Sequence, residues 1–302
     1  DPHLAPPLGQ HQDDSDFRIS IAGAQEKTAL LRFGGVWQRP LGATPTTHIL
    51  KLPLGLVGNM RADMRNSVEN EWLCAQIVAA LGLRVATTEM ARFGTQKALV
   101  VERFDRRWQN LGDLQHNRPG FTPPTVGWIA RLPQEDLCQA TGTSPLKKYE
   151  SDGGPSMRNC LDVLAGSAQA AADCAHFALT QLAFWLLAAT DGHAKNYSLW
   201  HQRGGTFGLT PLYDVLSAWP IIGEGPNLVS EHKATLAMAL RAKTKHYKLG
   251  EIRVRHWQAL AQSCGAPNVW PQMQRMVRRV DAALAQVQTQ LPPDFPPRVW
   301  DA

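Results

Sequence analysis

The sequence predicts an α+β fold of two lobes, a β-rich front and a helical back, with a ligand cleft between them. Three observations carry that expectation. Short apolar runs separated by glycine-containing turns fill the first third. Apolar residues at helical spacing dominate the later part of the chain. A polar cluster, Thr190-Asp191-Gly192-His193-Ala194-Lys195-Asn196, directly follows the most apolar of these helical runs. Clefts between lobes are where ligands usually bind, so the cluster is expected to face one.

Residues 1–16, rich in Pro, Gln and Asp, read as a flexible lead-in. The β-rich lobe is expected over 17–106. Strands at 18–21 and 28–33 flank the loop 22–27, Gly34-Gly35 marks a hairpin turn, and 48–52 is a further strand. A helix follows, with Asn66 as cap, Glu69 as its reciprocal partner and Gly82 as its stop. Val68, Trp72, Leu73, Ile77, Ala80 and Leu81 form its apolar stripe. A buried strand at 97–101 leads into Glu102-Arg103-Phe104-Asp105-Arg106, and the lobe boundary is placed near Arg107.

The helical lobe is expected over 107–302. Its first part, 113–155, is irregular and rich in Pro and Gly. Helices are predicted over 174–190 and 269–291. The second repeats Met273, Met276, Val277, Val280, Leu284 and Val287 on one face and carries Arg275, Arg278 and Arg279 on the other. That basic face, and Arg253 to His256, read as solvated helix surfaces more readily than as a nucleic-acid interface.

Composition narrows the class. A chain of 302 residues can bury a substantial core, and 44% hydrophobic with 19% charged residues is ordinary for a globular protein. The net charge of +5 favours anionic ligands or partners without indicating nucleic acid. Cys74, Cys138, Cys160, Cys174 and Cys264 are scattered, with no Cys-x-x-Cys pair, so neither a disulfide framework nor a zinc site is expected, and a cytoplasmic location fits. The run 177–190 is too short to span a bilayer and contains Thr180 and Gln181; a buried helix and no membrane association are expected. Asp1-Pro2-His3 begins no basic-then-apolar leader, and the missing initiator Met leads us to expect that the true start lies upstream.

The chemistry is read from spacing. Asp191, four residues, then Asn196 is the spacing of a protein-kinase catalytic loop, in which the Asp accepts a hydroxyl proton and the Asn holds Mg²⁺. Asp214, shortly downstream, supplies a second hard oxygen ligand. Lys195 is expected beside the transferring phosphate or paired with a nearby acid. Lys51 sits in an apolar strand, where a kinase lysine grips the nucleotide phosphates, and Glu69 and Glu71 are both candidate partners on the next helix. Gly23 to Thr28 resembles the end of a Walker A loop, but Glu26 stands before Lys27 where that motif needs Gly, which disfavours a P-loop enzyme. A loop whose amides and Lys27 approach phosphates stays open. Backbone groups at Glu102 to Phe104 could meet an adenine edge or serve as a plain inter-lobe linker. His193 lacks a second ligand at zinc spacing, and Ser20 lacks a nucleophile elbow.

Five ordered motifs, SIAGAQEKTALL at 20–31, PTTHILKLP at 45–53, VERFDR at 101–106, QEDLCQ at 134–139 and TDGHAKN at 190–196, together resemble the HipA family of bacterial serine/threonine kinase toxins. The resemblance runs from about Phe17 to the C-terminal helices. It implies a protein-kinase-like fold using ATP and Mg²⁺, with Asp191 catalytic and Asn196 and Asp214 as metal ligands. Lys51 would then hold the ATP phosphates, Glu102 and Phe104 the adenine, and His193 and Tyr213 would line the site. Ser20 would be an autophosphorylation site that withdraws the Gly23 loop. The implied substrates are aminoacyl-tRNA synthetases, and the implied partner is a helix-turn-helix antitoxin that contacts operator DNA. Longer family members carry an extra N-terminal subdomain. The short lead-in here resembles the HipT form, which implies a separate small protein in place of that subdomain and tryptophanyl-tRNA synthetase as target. Two other readings stay open: a small-molecule kinase on the same plan, and a regulatory subunit that docks an antitoxin.

Overall fold

Alternating and buried apolar runs produce the front sheet. A computed structural model of the chain describes residues 25–40, 43–109 and 128–302. Strand β1 (Lys27–Phe33) turns through Gly34 and Gly35, both at positive φ, into β2 (Val36–Gln38). Then follow β3 (His48–Lys51), a small hairpin of β4 (Gly55–Val57) and β5 (Ala62–Met64), helix α1 (Ser67–Ala80), and the hairpin β6 (Thr88–Phe93) and β7 (Gln96–Glu102). The sheet order is β2-β1-β3-β7-β6, antiparallel throughout. Its register sets Lys51 between Lys27 on β1 and Leu99 on β7. The strand expected at 18–21 lies outside the described residues.

Helix α1 is buried on most of its circumference, because it sits against the sheet on one side and the C-terminal helices on another. Its expected capping box does not form. Asn66, at φ −97° and ψ 24°, lacks extended N-cap geometry and makes no side-chain cap, while the Glu69 carboxylate is drawn to the Lys97 ammonium on β7. Gly82, at φ 90°, ends the helix region as the sequence suggests.

The back lobe contains more strand than its pattern predicted. After β8 (Arg106–Gln109) and β9 (Trp128–Arg131) come β10 (Gln134–Asp136), α2 (Leu137–Ala140), α3 (Met157–Leu164) and α4 (Ala170–Leu186). Strands β11 (Ser198–His201) and β12 (Phe207–Leu209) complete a β10-β11-β12 sheet, and β13 (Thr235–Arg241) pairs with β14 (Lys245–Lys248). The chain closes with α5 (Val254–Ser263), α6 (Val269–Arg278), α7 (Val280–Gln288) and α8 (Pro297–Trp300). The helix expected over 269–291 therefore breaks at Arg279, whose guanidinium reaches the Ala80 carbonyl of α1 at 3.4 Å.

Helix α4 explains the polar residues inside the most apolar run. Thr180 Oγ1 donates to the His176 carbonyl, and Gln181 Nε2 donates to the Tyr197 hydroxyl at 2.7 Å. Tyr197 is wholly buried between Phe177 and Phe184. The helix ends four residues before Thr190, and Ala188, at φ 46°, turns the chain out of it. Among the described residues no helix is long and apolar enough to cross a membrane. The two lobes share one apolar core, and Asn70 of α1 pairs with the Ser217 backbone through both its amide groups at 2.8 Å.

Candidate active site

Strand β3 delivers Lys51 to the meeting point of the lobes. Its ammonium donates to Glu71 Oε1 at 2.6 Å and to Asp214 Oδ1 at 2.7 Å. Of the two candidate partners, Glu71 takes the lysine and Glu69 takes Lys97. Burial alone would lower the Lys51 ammonium, but the carboxylates of Glu71 and Asp214 outweigh it and hold it above its ordinary range. Burial pushes Glu71 up to about 7 against the pull of Lys51. Asp214 stays below the usual carboxylate value, because Lys51 overcomes the effect of burial there. Asp214 also sits at φ 61°, a left-handed conformation that costs a non-glycine residue roughly 1–3 kcal/mol and persists where surrounding structure enforces it.

Helix α4 delivers the polar loop. Gly192 packs against the Phe184 ring so closely that a Cβ there would lie 2.2 Å from it, so the residue after Asp191 must be glycine for this approach. Asn196 Nδ2 donates to the Asp191 carbonyl at 2.8 Å, which closes the loop and turns the amide's oxygen end away from that bond. The Tyr149 hydroxyl donates to Asp191 Oδ1. Lys195 pairs with Asp136 on β10 at 2.7 Å. His193 is fully buried, edge-on to Tyr149 at 5.2 Å, and its Nε2 lies 3.7 Å from Asp191 Oδ1. Burial, helped by the nearby Lys148 charge, lowers its imidazole to about 3, so the ring is neutral. His193 thus stands behind Tyr149 and Asp191 instead of on an open wall.

Glu102 ends β7, with its N–H donating to the Thr87 carbonyl at 2.9 Å. The Arg103 N–H donates to Thr47, and its guanidinium forks over the buried Asp105, which also meets Arg106. That arginine–aspartate knot stiffens the segment between the lobes. Phe104 stands 5.8 Å from the Tyr213 ring, beside Asp214, and the Tyr213 hydroxyl contacts Ser198 Oγ and the Lys195 carbonyl. The pair offers an apolar wall suited to a flat ring. Lys27 opens β1 directly opposite Lys51; its side chain is exposed, and its charge is felt by Glu71 and Asp214. Ser20 and Gly23 lie outside the described residues.

The structure brings together Lys51, Glu71, Asp191, Asn196 and Asp214, with Phe104 and Tyr213 alongside. Asp214 and Asn196 are hard oxygen donors of the kind Mg²⁺ takes, so the residues present fit that ion. Sequence reasoning missed Lys148, Tyr149 and Glu150, which lie in the stretch read as irregular. The Asp152-Gly153-Gly154-Pro155 turn signal and the Ser144-Pro145 helix start were the available hints. Two cavities, of about 560 Å³ beside Trp219 and Arg298 and about 160 Å³ beside Glu69 and Phe295, lie away from this cluster.

Comparison with known proteins points to one family. Residues 19–289 match the model of the HipA-like C-terminal domain. The chain is 32% identical to Y4mE of Sinorhizobium fredii over 89% of its length. It is 29% identical to the serine/threonine-protein kinase toxin HipA of Shewanella oneidensis over 93%. It spans 57% and 60% of those two proteins' own lengths. In the solved complex of Shewanella oneidensis HipA with HipB and its operator DNA, one chain matches at a TM-score of 0.71 and 27% identity, over 97% of this chain and 63% of that one.

Proposed function

Because the chain belongs to the HipA-like C-terminal domain family, we propose that it is an ATP-dependent serine/threonine protein kinase acting as the toxin of a toxin–antitoxin system. The observation that carries this reading is the Lys51–Glu71–Asp214 cluster, joined to the Asp191–Asn196 loop where the hydroxyl of Tyr213, next to Asp214, donates to the Lys195 carbonyl. Lys51, held by Glu71, grips the nucleotide phosphates. Glu102 and Phe104 hold the adenine, with Tyr213 beside Phe104 and His193 behind. Asn196 and Asp214 hold Mg²⁺, which when bound neutralises phosphate charge. Asp191 accepts the proton of the acceptor hydroxyl, and the Tyr149 hydroxyl orients it. Lys27 and the Gly23 loop close over the phosphates, and phosphorylation of Ser20 by the chain itself withdraws that loop. The division into lobes near residue 107 belongs to the same reading.

The acceptor is a serine of an aminoacyl-tRNA synthetase, tryptophanyl-tRNA synthetase foremost, and its modification stops translation in the cytoplasm. The operator-bound relative supports a helix-turn-helix antitoxin as partner, with DNA reached through it. A small protein resembling the N-terminal subdomain of longer family members is a further partner. Incubating the chain with γ-labelled ATP, Mg²⁺ and a panel of purified synthetases tests the target, with Ser20→Ala alongside. Label on the tryptophanyl enzyme alone, and loss of label from the chain in Ser20→Ala, is the expected result. Label on no synthetase while the chain itself is labelled would remove the target assignment.

A further inference from the structure

Phosphoryl transfer needs cations that the protein has not already satisfied, because the transferring group spreads negative charge over its outer oxygens. Of the other lysines at the site, Lys51 lies between Glu71 and Asp214, Lys195 lies on Asp136, and Lys27 is exposed at the start of β1. Lys148 differs. It is 8% exposed, and its Nζ has no hydrogen-bond partner among the described residues. The ammonium lies 5.1 Å from the centroid of the Tyr149 ring, and Tyr149 donates to Asp191. Burial holds it below the ordinary lysine value, against the pull of the Asp191 and Asp214 charges. A buried ammonium without an acceptor is costly, and a fold tolerates one where an anionic ligand completes it.

The loop around Lys148 is built to hold that position. Glu150, buried, accepts from the Ala239 N–H at 2.8 Å and from Arg241 at 2.7 Å, which ties the segment to β13. The Gly154 N–H donates to the Tyr149 carbonyl at 2.8 Å. A Cβ on Gly154 would lie 2.2 Å from the Lys147 carbonyl oxygen and 2.6 Å from that of Tyr149. The backbone is thus folded tightly beneath Lys148, and glycine is what permits it.

We propose that Lys148 is a further catalytic residue, whose ammonium binds the γ-phosphoryl group of the nucleotide as it passes to the acceptor hydroxyl. This rests on the kinase reading above. In the step, a bond forms between the acceptor oxygen and the γ-phosphorus while the bond from that phosphorus to the β,γ-bridging oxygen breaks. The bridging electron pair leaves with ADP, and the hydroxyl proton passes to the Asp191 carboxylate. Lys148 makes no covalent bond and gives up no proton. It donates hydrogen bonds to an outer oxygen of the moving group, the role that Lys195 cannot fill while it is held by Asp136.

The test compares the chain with Lys148→Met and Lys148→Arg. Each is titrated calorimetrically with ADP and with β,γ-imido ATP in Mg²⁺, then assayed for label transfer from γ-labelled ATP to a bacterial lysate. Lys148→Met is expected to bind ADP as the parent chain does, and to lose the triphosphate analogue by on the order of tenfold or more. Its transfer rate should fall by about 10²–10³. Lys148→Arg should recover most of the preference for triphosphate over diphosphate. Unchanged analogue affinity and transfer in Lys148→Met overturns the proposal. So does an equal loss for ADP and analogue with a lowered melting temperature, which would mark a purely structural lysine. A parent chain that neither binds nucleotide nor transfers label would instead bring down the kinase reading itself.

Discussion

Removing the Lys51 ammonium would leave Glu71 and Asp214 facing each other across a buried gap. Breaking a buried ion pair by deleting one partner costs about 3–5 kcal/mol, so Lys51→Met is expected to lower stability by that amount in urea unfolding. Glu71→Gln, which leaves Asp214 on the lysine, should cost less. Histidines set the acid side of the stability curve. Burial lowers His176 to about 4 and His193 to about 3, from 6.5. Below pH 6.5 the unfolded chain therefore binds protons that the folded chain refuses, and stability falls as pH drops from about 6.5 towards 4. Glu71 opposes this, because its folded carboxyl stays protonated up to about 7 while the unfolded one ionises above 4.5. His48, also lowered to about 4 by burial and by the nearby Arg32 charge, makes three imidazoles against one carboxyl and leaves a net loss, to be read as a falling melting temperature between pH 6.5 and 4.5. A melting temperature that rises over that window would contradict it.

At the scale of elements, the Asp191–Asn196 loop is positioned by the end of α4. Gly192→Ala would press a methyl into the Phe184 ring, so a loss of about 1–3 kcal/mol is expected, with transfer reduced beyond what the fraction folded explains. Parent-like stability for that variant would remove the loop's packing argument. What the sequence made legible was local. Asp191 and Asn196 stand out because their spacing lies within one turn of chain, and Lys51 because a charge interrupts an apolar strand. Choosing Glu71 over Glu69 was not possible from pattern alone. Residues two apart on a helix point to nearly opposite sides, and only the packing of α1 decides which side meets β3 and which meets β7. The strands β10 to β12 escaped because each is only three or four residues long. Lys148 and Tyr149 escaped because 3₁₀ turns have no apolar period, and their importance comes from Asp191, distant in sequence.

The whole molecule is held together through α1. Helices α7 and α8 pack on it from the C-terminus, Asn70 grips the Ser217 backbone, and the apolar core runs through both lobes without a break. Such continuity is expected to give one unfolding transition, with tryptophan fluorescence and far-UV circular dichroism coinciding in urea; separated midpoints would show lobes that unfold independently. Asn70→Ala orphans a buried carbonyl and a buried N–H, and should lower that midpoint by an amount equivalent to about 2 kcal/mol or more. The same clamp carries Glu71 to Lys51, so lobe packing and the candidate site stand or fall together. The most direct measurement is transfer of label from γ-labelled ATP with Mg²⁺ to bacterial lysate proteins, comparing the chain with Asp191→Gln. Labelled protein with the parent chain, and none with the folded Asp191→Gln variant, is the result expected of a kinase whose base is Asp191. Equal labelling by the two would contradict that assignment, and no labelling by either, with ATP shown to bind, would contradict the protein-kinase reading as a whole.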